Sequence, residues 1–319
     1  MSNIDDIGFY TLTEDRVRTT SATSAMQRCE LLITGICNFN CPYCRGPRED
    51  AKGHLPLEKA LQVIDLWADD GLVNIRFSGG EPTTHPKLID MVKHARARGI
   101  QRVAISTNGS AHPDKYRRLV EAGVNDFSIS LDACCASDGD KMAGREGVFG
   151  RIVDNIEMLS ALTYVTVGIV ITEDNVGEVA EIVRFAHDLG VADIRVISAA
   201  QYNALLAGVT SIDPKLVEAH PILKYRVENI KAGRNVRGLR EGDSHTCHML
   251  QDDSVIVGDF HYPCVIHMRE RGEAIGRVGP NMRAERVAWM LTHDPHNDPV
   301  CKKNCLDVCI DYCNAVENR

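Results

Sequence analysis

Cys37-Asn38-Phe39-Asn40-Cys41-Pro42-Tyr43-Cys44 places three thiols within eight residues. The spacing CxxxCxxC suits three corners of a cubane [4Fe–4S] cluster and leaves the fourth iron open. Just upstream runs Cys29-Glu30-Leu31-Leu32-Ile33-Thr34, an apolar β-like segment, so the thiols sit on the loop that leaves a strand. The alternative is a structural zinc knuckle. Zinc sites, however, usually pair a CxxC with a second pair of Cys or His ligands.

Composition sets the frame around this loop. The chain has 319 residues, 44% of them hydrophobic, enough for one large domain or one large and one small. Its formal charge is −8, from 36 basic and 44 acidic residues, with no basic block. Nucleic acid is therefore a disfavoured partner. No apolar h-region and no bilayer-length apolar stretch is present, so a cytoplasmic protein without a membrane partner is expected. Twelve cysteines are many for a reducing compartment, and their grouping points to metal rather than disulfides.

Residues 1–28 are polar and weakly patterned, which suggests an arm. From Cys29 strand and helix alternate. Strand-like runs fall at 29–34, 73–78, 102–106, 126–131, 163–171 and 193–198. The helical faces between them are marked by Leu57, Leu61, Ile64 and Trp67; by Leu88, Val92 and Ala95; by Tyr116, Leu119 and Val120; by Ile152, Ile156 and Leu159; and by Val179, Ile182 and Val183. Gly99, Gly123 and Gly190 follow last apolar turns as helix stops. Such a succession predicts an α/β fold with a parallel sheet and right-handed crossovers, too short for an eightfold barrel but sufficient for an open partial one. The boundaries expected are a barrel at 29–200, a connector at 201–245 with a helix near 221–232, and a small cysteine-rich domain at 246–319 that needs a metal to fold stably.

The strand ends carry polar motifs. Ser78-Gly79-Gly80-Glu81-Pro82 lets backbone approach a ligand and offers a carboxylate beside it. Ser106-Thr107-Asn108-Gly109 ends the third strand, and Ser128-Ile129-Ser130-Leu131-Asp132 the fourth. Each also reads as ordinary turn and capping chemistry. With CxxxCxxC after the first strand and Gly-Gly-Glu-Pro one unit later, the chain resembles the radical S-adenosylmethionine (radical SAM) superfamily. That resemblance implies a partial (β/α)6 barrel, a SAM-binding [4Fe–4S] cluster on Cys37, Cys41 and Cys44, and reductive cleavage of SAM to a 5′-deoxyadenosyl radical. It implies SAM contacts from Gly79, Gly80 and Glu81 to the ammonium group, from Thr107, Asn108, Ser130 and Asp132 along the ligand, and from Tyr43 near adenine. It also implies a small-molecule substrate and a reductant such as flavodoxin or ferredoxin. Asn175 and Arg195 could face the same cavity, or serve as a helix cap and a surface ion pair. Cys134 and Cys135, directly after the fourth-strand motif, are candidate hydrogen-atom donors of the kind used by radical SAM epimerases, or packed small hydrophobes.

Toward the C-terminus, Cys247 and Cys264 bracket a short hairpin with a Gly258-Asp259 turn. Cys301, Cys305, Cys309 and Cys313 then recur every fourth residue and would share one face if helical. This resembles the Twitch and SPASM extensions of radical SAM enzymes, but with six cysteines and no CxxC, which favours one auxiliary [4Fe–4S] cluster. Cys247, Cys264, Cys301 and Cys305 are the expected ligands, with Cys309 and Cys313 as alternates and zinc as the rival metal. His245, His248, His261 and His267 are expected at the surface or behind the ligands.

Three functions follow. The first is dehydrogenation or epimerisation of a carbohydrate, aminocyclitol or nucleotide-like molecule. The second is modification of a ribosomally made peptide, weakened by the short stretch before the barrel. The third is a non-enzymatic iron–sulfur or zinc protein.

Overall fold

The computed structural model describes residues 12–46, 48, 51–199 and 208–319. Residues 1–11 of the expected arm, and 200–207 where barrel and connector were expected to meet, lie outside the described residues. Six parallel strands follow in chain order: β1 (Arg28–Thr34), β2 (Asn74–Gly79), β3 (Arg102–Thr107), β4 (Asp126–Ser130), β5 (Tyr164–Ile171) and β6 (Asp193–Ser198). Helices α2 (Leu57–Asp69), α3 (Leu88–Ala97), α4 (Pro113–Ala122), α6 (Phe149–Ser160) and α7 (Val179–Asp188) cover their outer face; α1 (Glu14–Thr19) precedes β1 and α5 (Ala136–Ala143) precedes α6. This is the partial (β/α)6 barrel. The short α5 was not legible in the sequence, because Ala136-Ser137-Asp138-Gly139 shows no apolar stripe.

Side-chain parity builds the barrel. Leu31, Ile33, Phe77, Val103, Ile105, Phe127, Ile129, Val165 and Val167 are buried in one cluster with Trp67, Met91, Tyr116, Leu119, Ile156 and Ile182 of the helices. Each such side chain contributes roughly 1.5–3 kcal/mol on burial. The alternate positions carry Glu30, Arg76, Ser78, Asp126, Ser128 and Thr166, all buried and polar. The inner face is thus richer in polar groups than the outer one, though Leu32, Ala104, Val170 and Ile197 also fall on it. Gly123 ends α4 at φ 117°, a left-handed C-cap that only glycine adopts without strain.

The cysteine-rich segment continues the same sheet. β7 (Asp253–Val257) pairs in parallel with β1, from Arg28 against Asp253 to Leu32 against Val257. β8 (Phe260–Tyr262) and β9 (Gly276–Arg277) add antiparallel, giving the order β6-β5-β4-β3-β2-β1-β7-β8-β9. Helices α8 (Pro214–Ala219), α9 (Pro221–Lys231), α10 (Val265–Arg269), α11 (Met282–Thr292), α12 (Pro299–Asn304) and α13 (Asp307–Glu317) complete the described chain. The four-residue cysteine repeat does not form one helix. The chain is extended at Cys305 and Leu306, where Gly238 N–H bonds the Cys305 carbonyl at 2.9 Å and Asp307 N–H bonds the Val236 carbonyl at 2.9 Å. The connector captures these backbone groups and breaks the helical run.

Asp193 opens β6 and is fully buried; its carboxylate accepts from Ile194 N–H at 2.8 Å and Ile222 N–H at 3.1 Å, capping α9. Burial raises its pKa to about 7, against the amides that pull it down. A raised carboxylate stabilises the fold below its unfolded pKa of about 4 and loses that contribution as pH rises through about 7. Wild type should therefore lose stability relative to Asp193→Asn between about pH 4 and 7, by up to a few kcal/mol. Denaturant midpoints of both proteins across that window check this; a constant difference would refute it.

Candidate active site and cysteine pocket

The cysteine loop is fastened to the ends of three other strands. Gly80 N–H bonds the Thr34 carbonyl at 2.7 Å, and Glu81 N–H bonds the Ile36 carbonyl at 2.8 Å. A Cβ on Gly80 would lie 2.4 Å from the Ile36 carbonyl oxygen, and one on Gly79 (φ 138°) 2.1 Å from that of Thr34. The two glycines are needed because backbone packs on backbone here. The Gly80 and Glu81 amides are engaged in this packing; an ammonium group, being a donor, would bind carbonyl or carboxylate oxygens here.

Glu81 is buried, and its carboxylate joins the ends of β2 and β3. Oε1 accepts from Thr83 N–H at 2.9 Å, Thr83 Oγ1 at 2.6 Å and Thr107 Oγ1 at 2.7 Å; Oε2 accepts from Asn108 N–H at 2.7 Å. Burial raises its pKa, and these four donors oppose the rise. Thr107 is thus occupied by Glu81 and Tyr116 Oη, at 2.9 Å from the latter. Asn108 Nδ2 donates to Asn38 Oδ1 at 2.9 Å, while Asn38 Nδ2 donates to Ser110 Oγ at 2.8 Å. Asn40 N–H bonds the Ala143 carbonyl at 3.1 Å, and Arg145 Nη1 donates to the Asn38 carbonyl at 2.9 Å. The sequence reading missed Asn38, Ser110 and Arg145; the polar asparagines at Asn38 and Asn40 inside the cysteine motif were the available signal.

Tyr43 donates its hydroxyl to Asp132 Oδ2, and Asp132 Oδ1 accepts from Val170 N–H at 2.6 Å. Burial lifts Asp132 to about 6 and Tyr43 far above its usual range. Ser130 ends β4 exposed. Asn175 Nδ2 donates to the Asp132 and Val170 carbonyls, both at 2.9 Å, which makes it a loop staple. Arg195 points inward, with Nη2 3.4 Å from Ser128 Oγ. Cys135 Sγ lies 2.8 Å from Asp138 Oδ2, and Cys134 packs against the hydrophobic core, where burial raises its thiol.

Cys37 and Cys44 are exposed and Cys41 half-buried. Phe39 N–H donates to Cys37 Sγ at 3.4 Å, and Gly46 N–H to Cys44 Sγ at 3.3 Å. Burial raises Cys37 and pushes Cys41 up to about 12, and the neighbouring thiols add to both shifts. Three sulfurs close enough to repel as thiolates, two of them receiving amide hydrogens, fit three irons of a cubane.

A second group, Cys247, Cys264, Cys301, Cys305, Cys309 and Cys313, lines one apolar cleft. Burial and mutual proximity raise Cys264 to about 12 and Cys305 and Cys309 further. The Cys313 thiol donates to Cys247, which lowers Cys247 and raises Cys313. The cleft thus offers six thiols where a [4Fe–4S] cluster takes four, the alternates Cys309 and Cys313 among them. His261 and His267 are buried rather than at the surface: His261 Nε2 lies 2.8 Å from Glu285 and His267 Nε2 3.3 Å from Asp298. His267, Asp298 and Cys301 also bring ligand atoms within 4.8 Å of one another.

The family model for the radical SAM superfamily matches residues 31–186. The chain belongs to the radical SAM superfamily. It is 31% identical over 162 residues to the AdoMet-dependent heme synthase of Methanosarcina barkeri, covering 50% of this chain and 46% of that protein. It is 28% identical over 170 residues to a probable GTP 3′,8-cyclase of Saccharolobus islandicus (52% of this chain, 55% of the relative) and 26% identical over 208 residues to the PqqA peptide cyclase of Bradyrhizobium diazoefficiens (64% and 55%). The chain spans about half the length of these radical SAM relatives. Among solved structures, Streptococcus suis SuiB bound to S-adenosylmethionine superposes with TM-score 0.59 at 14% identity, covering 87% of this chain and 67% of that one. The anSMEcpe structure with bound AdoMet gives 0.59 at 14%, covering 92% of each. These likenesses establish the fold. Among the described residues no helix is long and apolar enough to cross a membrane.

Proposed function

We propose that this chain cleaves SAM reductively and takes a hydrogen atom from a small-molecule substrate, with a reductant of the flavodoxin or ferredoxin kind supplying the electron. The observation that carries this reading is the group of three thiols on the β1 loop, two exposed and one half-buried, on a loop fastened to the ends of β2, β3 and β4. A cluster with SAM at its open iron supplies the cleavage and the abstracting radical. Cys37, Cys41 and Cys44 would hold that cluster. Gly79 and Gly80 keep the loop close against β2, Glu81 and Asn108 hold its polar flank, and Tyr43 with Asp132 closes the β4 side. Ser130 is the exposed hydroxyl left to meet SAM. The six-thiol cleft supports an auxiliary cluster as electron acceptor, ligated by Cys247, Cys264, Cys301 and Cys305 or with Cys309 and Cys313 as alternates.

Dehydrogenation is favoured over epimerisation, because Cys135 is engaged with Asp138 and Cys134 packs against the hydrophobic core. The relative acting on the PqqA peptide, by its name, favours a second reading, modification of a peptide. In the test, anaerobically reconstituted protein receives SAM, dithionite and candidate substrates, and 5′-deoxyadenosine is quantified. Formation above a no-protein control is expected, and solvent deuterium should stay out of the product. Intact SAM throughout would refute the reading, and one deuterium per product would restore the epimerase.

A further inference from the structure

The barrel lining carries more guanidinium groups than carboxylates. Arg28 pairs with Glu30 at 2.7 Å and Asp253 at 3.4 Å, and Arg269 lies 3.8 Å from Glu30. Arg76 and Arg102 share Asp126, at 3.5 and 3.4 Å. Four arginines thus share three carboxylates, and the fifth, Arg195, is a cation with no carboxylate partner among the described residues. It leaves the third position of β6 and crosses β5 at Gly168, where an added Cβ would lie 3.3 Å from its Nη2. Among the described residues its hydrogen bond reaches Ser128 Oγ at 3.4 Å on β4.

Two buried donors near this point lack partners. Arg195 Nε is one, and Thr166 Oγ1, on the inward face of β5 and in register with Ser128, is the other. A guanidinium among Arg76, Arg269 and Arg28 is costly; burial and those like charges bring its pKa down to about 10. An unpaired buried charge of this kind is retained against stability. A planar guanidinium fork matches a carboxylate or a phosphate.

We infer that Arg195, with Thr166 and Ser128, binds an oxyanion of the substrate, a phosphate or carboxylate group, inside the barrel. The inference rests on the radical SAM reading for its substrate, but the site itself is defined by these side chains. SAM carries a carboxylate too. The cysteine loop and Gly79–Glu81, however, lie at the ends of β1 and β2, whereas Arg195 arises mid-strand at the far edge of the six-stranded array and reaches a residue two positions short of the β4 end.

The test uses the full, cluster-loaded chain with inorganic phosphate and acetate as probes, read by thermal unfolding. One or both should raise the wild-type Tm by about 3 °C or more at ~10 mM, and the rise should vanish in Arg195→Met and persist in part in Arg195→Lys. Without anions, Arg195→Met should unfold at or above the wild-type temperature, since it removes a lone buried charge. Three results overturn the inference: no response of wild type to either anion, an equal response in Arg195→Met, or a fall of more than about 5 °C in Arg195→Met and Arg195→Gln alike, which marks a structural role. A roughly tenfold loss of SAM affinity in Arg195→Met, with phosphate competing against SAM, also overturns it by assigning the guanidinium to SAM. SAM cleavage is assayed in the same preparations. Its absence in wild type removes the radical reading while leaving the anion response readable, so the two failures are told apart.

Discussion

Replacing Cys37, Cys41 and Cys44 together by alanine should remove about four irons per chain and reduce SAM cleavage to background, while the protein stays folded. Folding should survive because the thiols contribute only one long contact, Cys41 Sγ to the Ala143 carbonyl at 3.8 Å, to fastening the loop. Its anchors are Gly80 and Glu81 amides on the Thr34 and Ile36 carbonyls, the Asn38–Asn108 pair, and Tyr43 on Asp132. The sulfurs of Cys37 and Cys44 are exposed, so their loss opens no cavity. Iron and sulfide assays with Mössbauer and EPR spectra read the outcome. About four irons remaining would place a separate cluster in the C-terminal cleft. If none remain, that cleft holds zinc or nothing, and the electron-acceptor role falls. An unchanged iron content would remove the radical SAM cluster from this loop.

Glu81→Ala should have the largest effect on stability of any single change near the site. It leaves the Thr83 and Asn108 amides and the Thr107 hydroxyl without their acceptor in a buried place. At ~1–3 kcal/mol per orphaned group the loss is about 3–9 kcal/mol, or a Tm fall of roughly 5 °C or more. Because the same carboxylate ties β3 to the Gly-Gly-Glu turn that holds the cysteine loop, iron bound by Cys37, Cys41 and Cys44 should become labile to a chelator. Glu81→Gln keeps the shape and one acceptor oxygen and should lose about half as much. An alanine variant within ~1 kcal/mol of wild type, with its iron equally resistant, would show that Glu81 does not hold the loop.

The outer half of the fold was legible because it obeys two periods. Leu31 and Ile33 repeat at two, and Leu57, Leu61 and Ile64 at helical spacing, and both faces are buried as expected. The inner half was not, because Arg28, Glu30, Arg76 and Asp126 read as the solvated face of their strands until the sheet curves them together. Nor does a sequence tell that Arg195 can cross a glycine to reach Ser128. The cysteine motif announced its chemistry, but the use of Glu81 and Thr107 to brace one another is a property of strand ends distant in sequence. The C-terminal repeat misled for a local reason. Spacing by four matches a helix, and only the pairing of Val236 and Gly238 with the chain at Cys305 and Asp307 reveals the break.

The pairing of β7 with β1 has a consequence for the order of synthesis. A ribosome finishes β6 at Ser198, yet the outer edge of β1 has no neighbour until Asp253–Val257 emerges. The intervening ~55 residues take roughly 3–11 s at ~5–20 residues per second. Throughout that interval the first strand of the barrel offers a bare row of amides and carbonyls, the kind of edge that recruits other chains. A nascent or truncated chain ending before Asp253 should therefore be the sticky form of this protein. The same C-terminal segment that gathers six thiols also seals the strand leading to the first three.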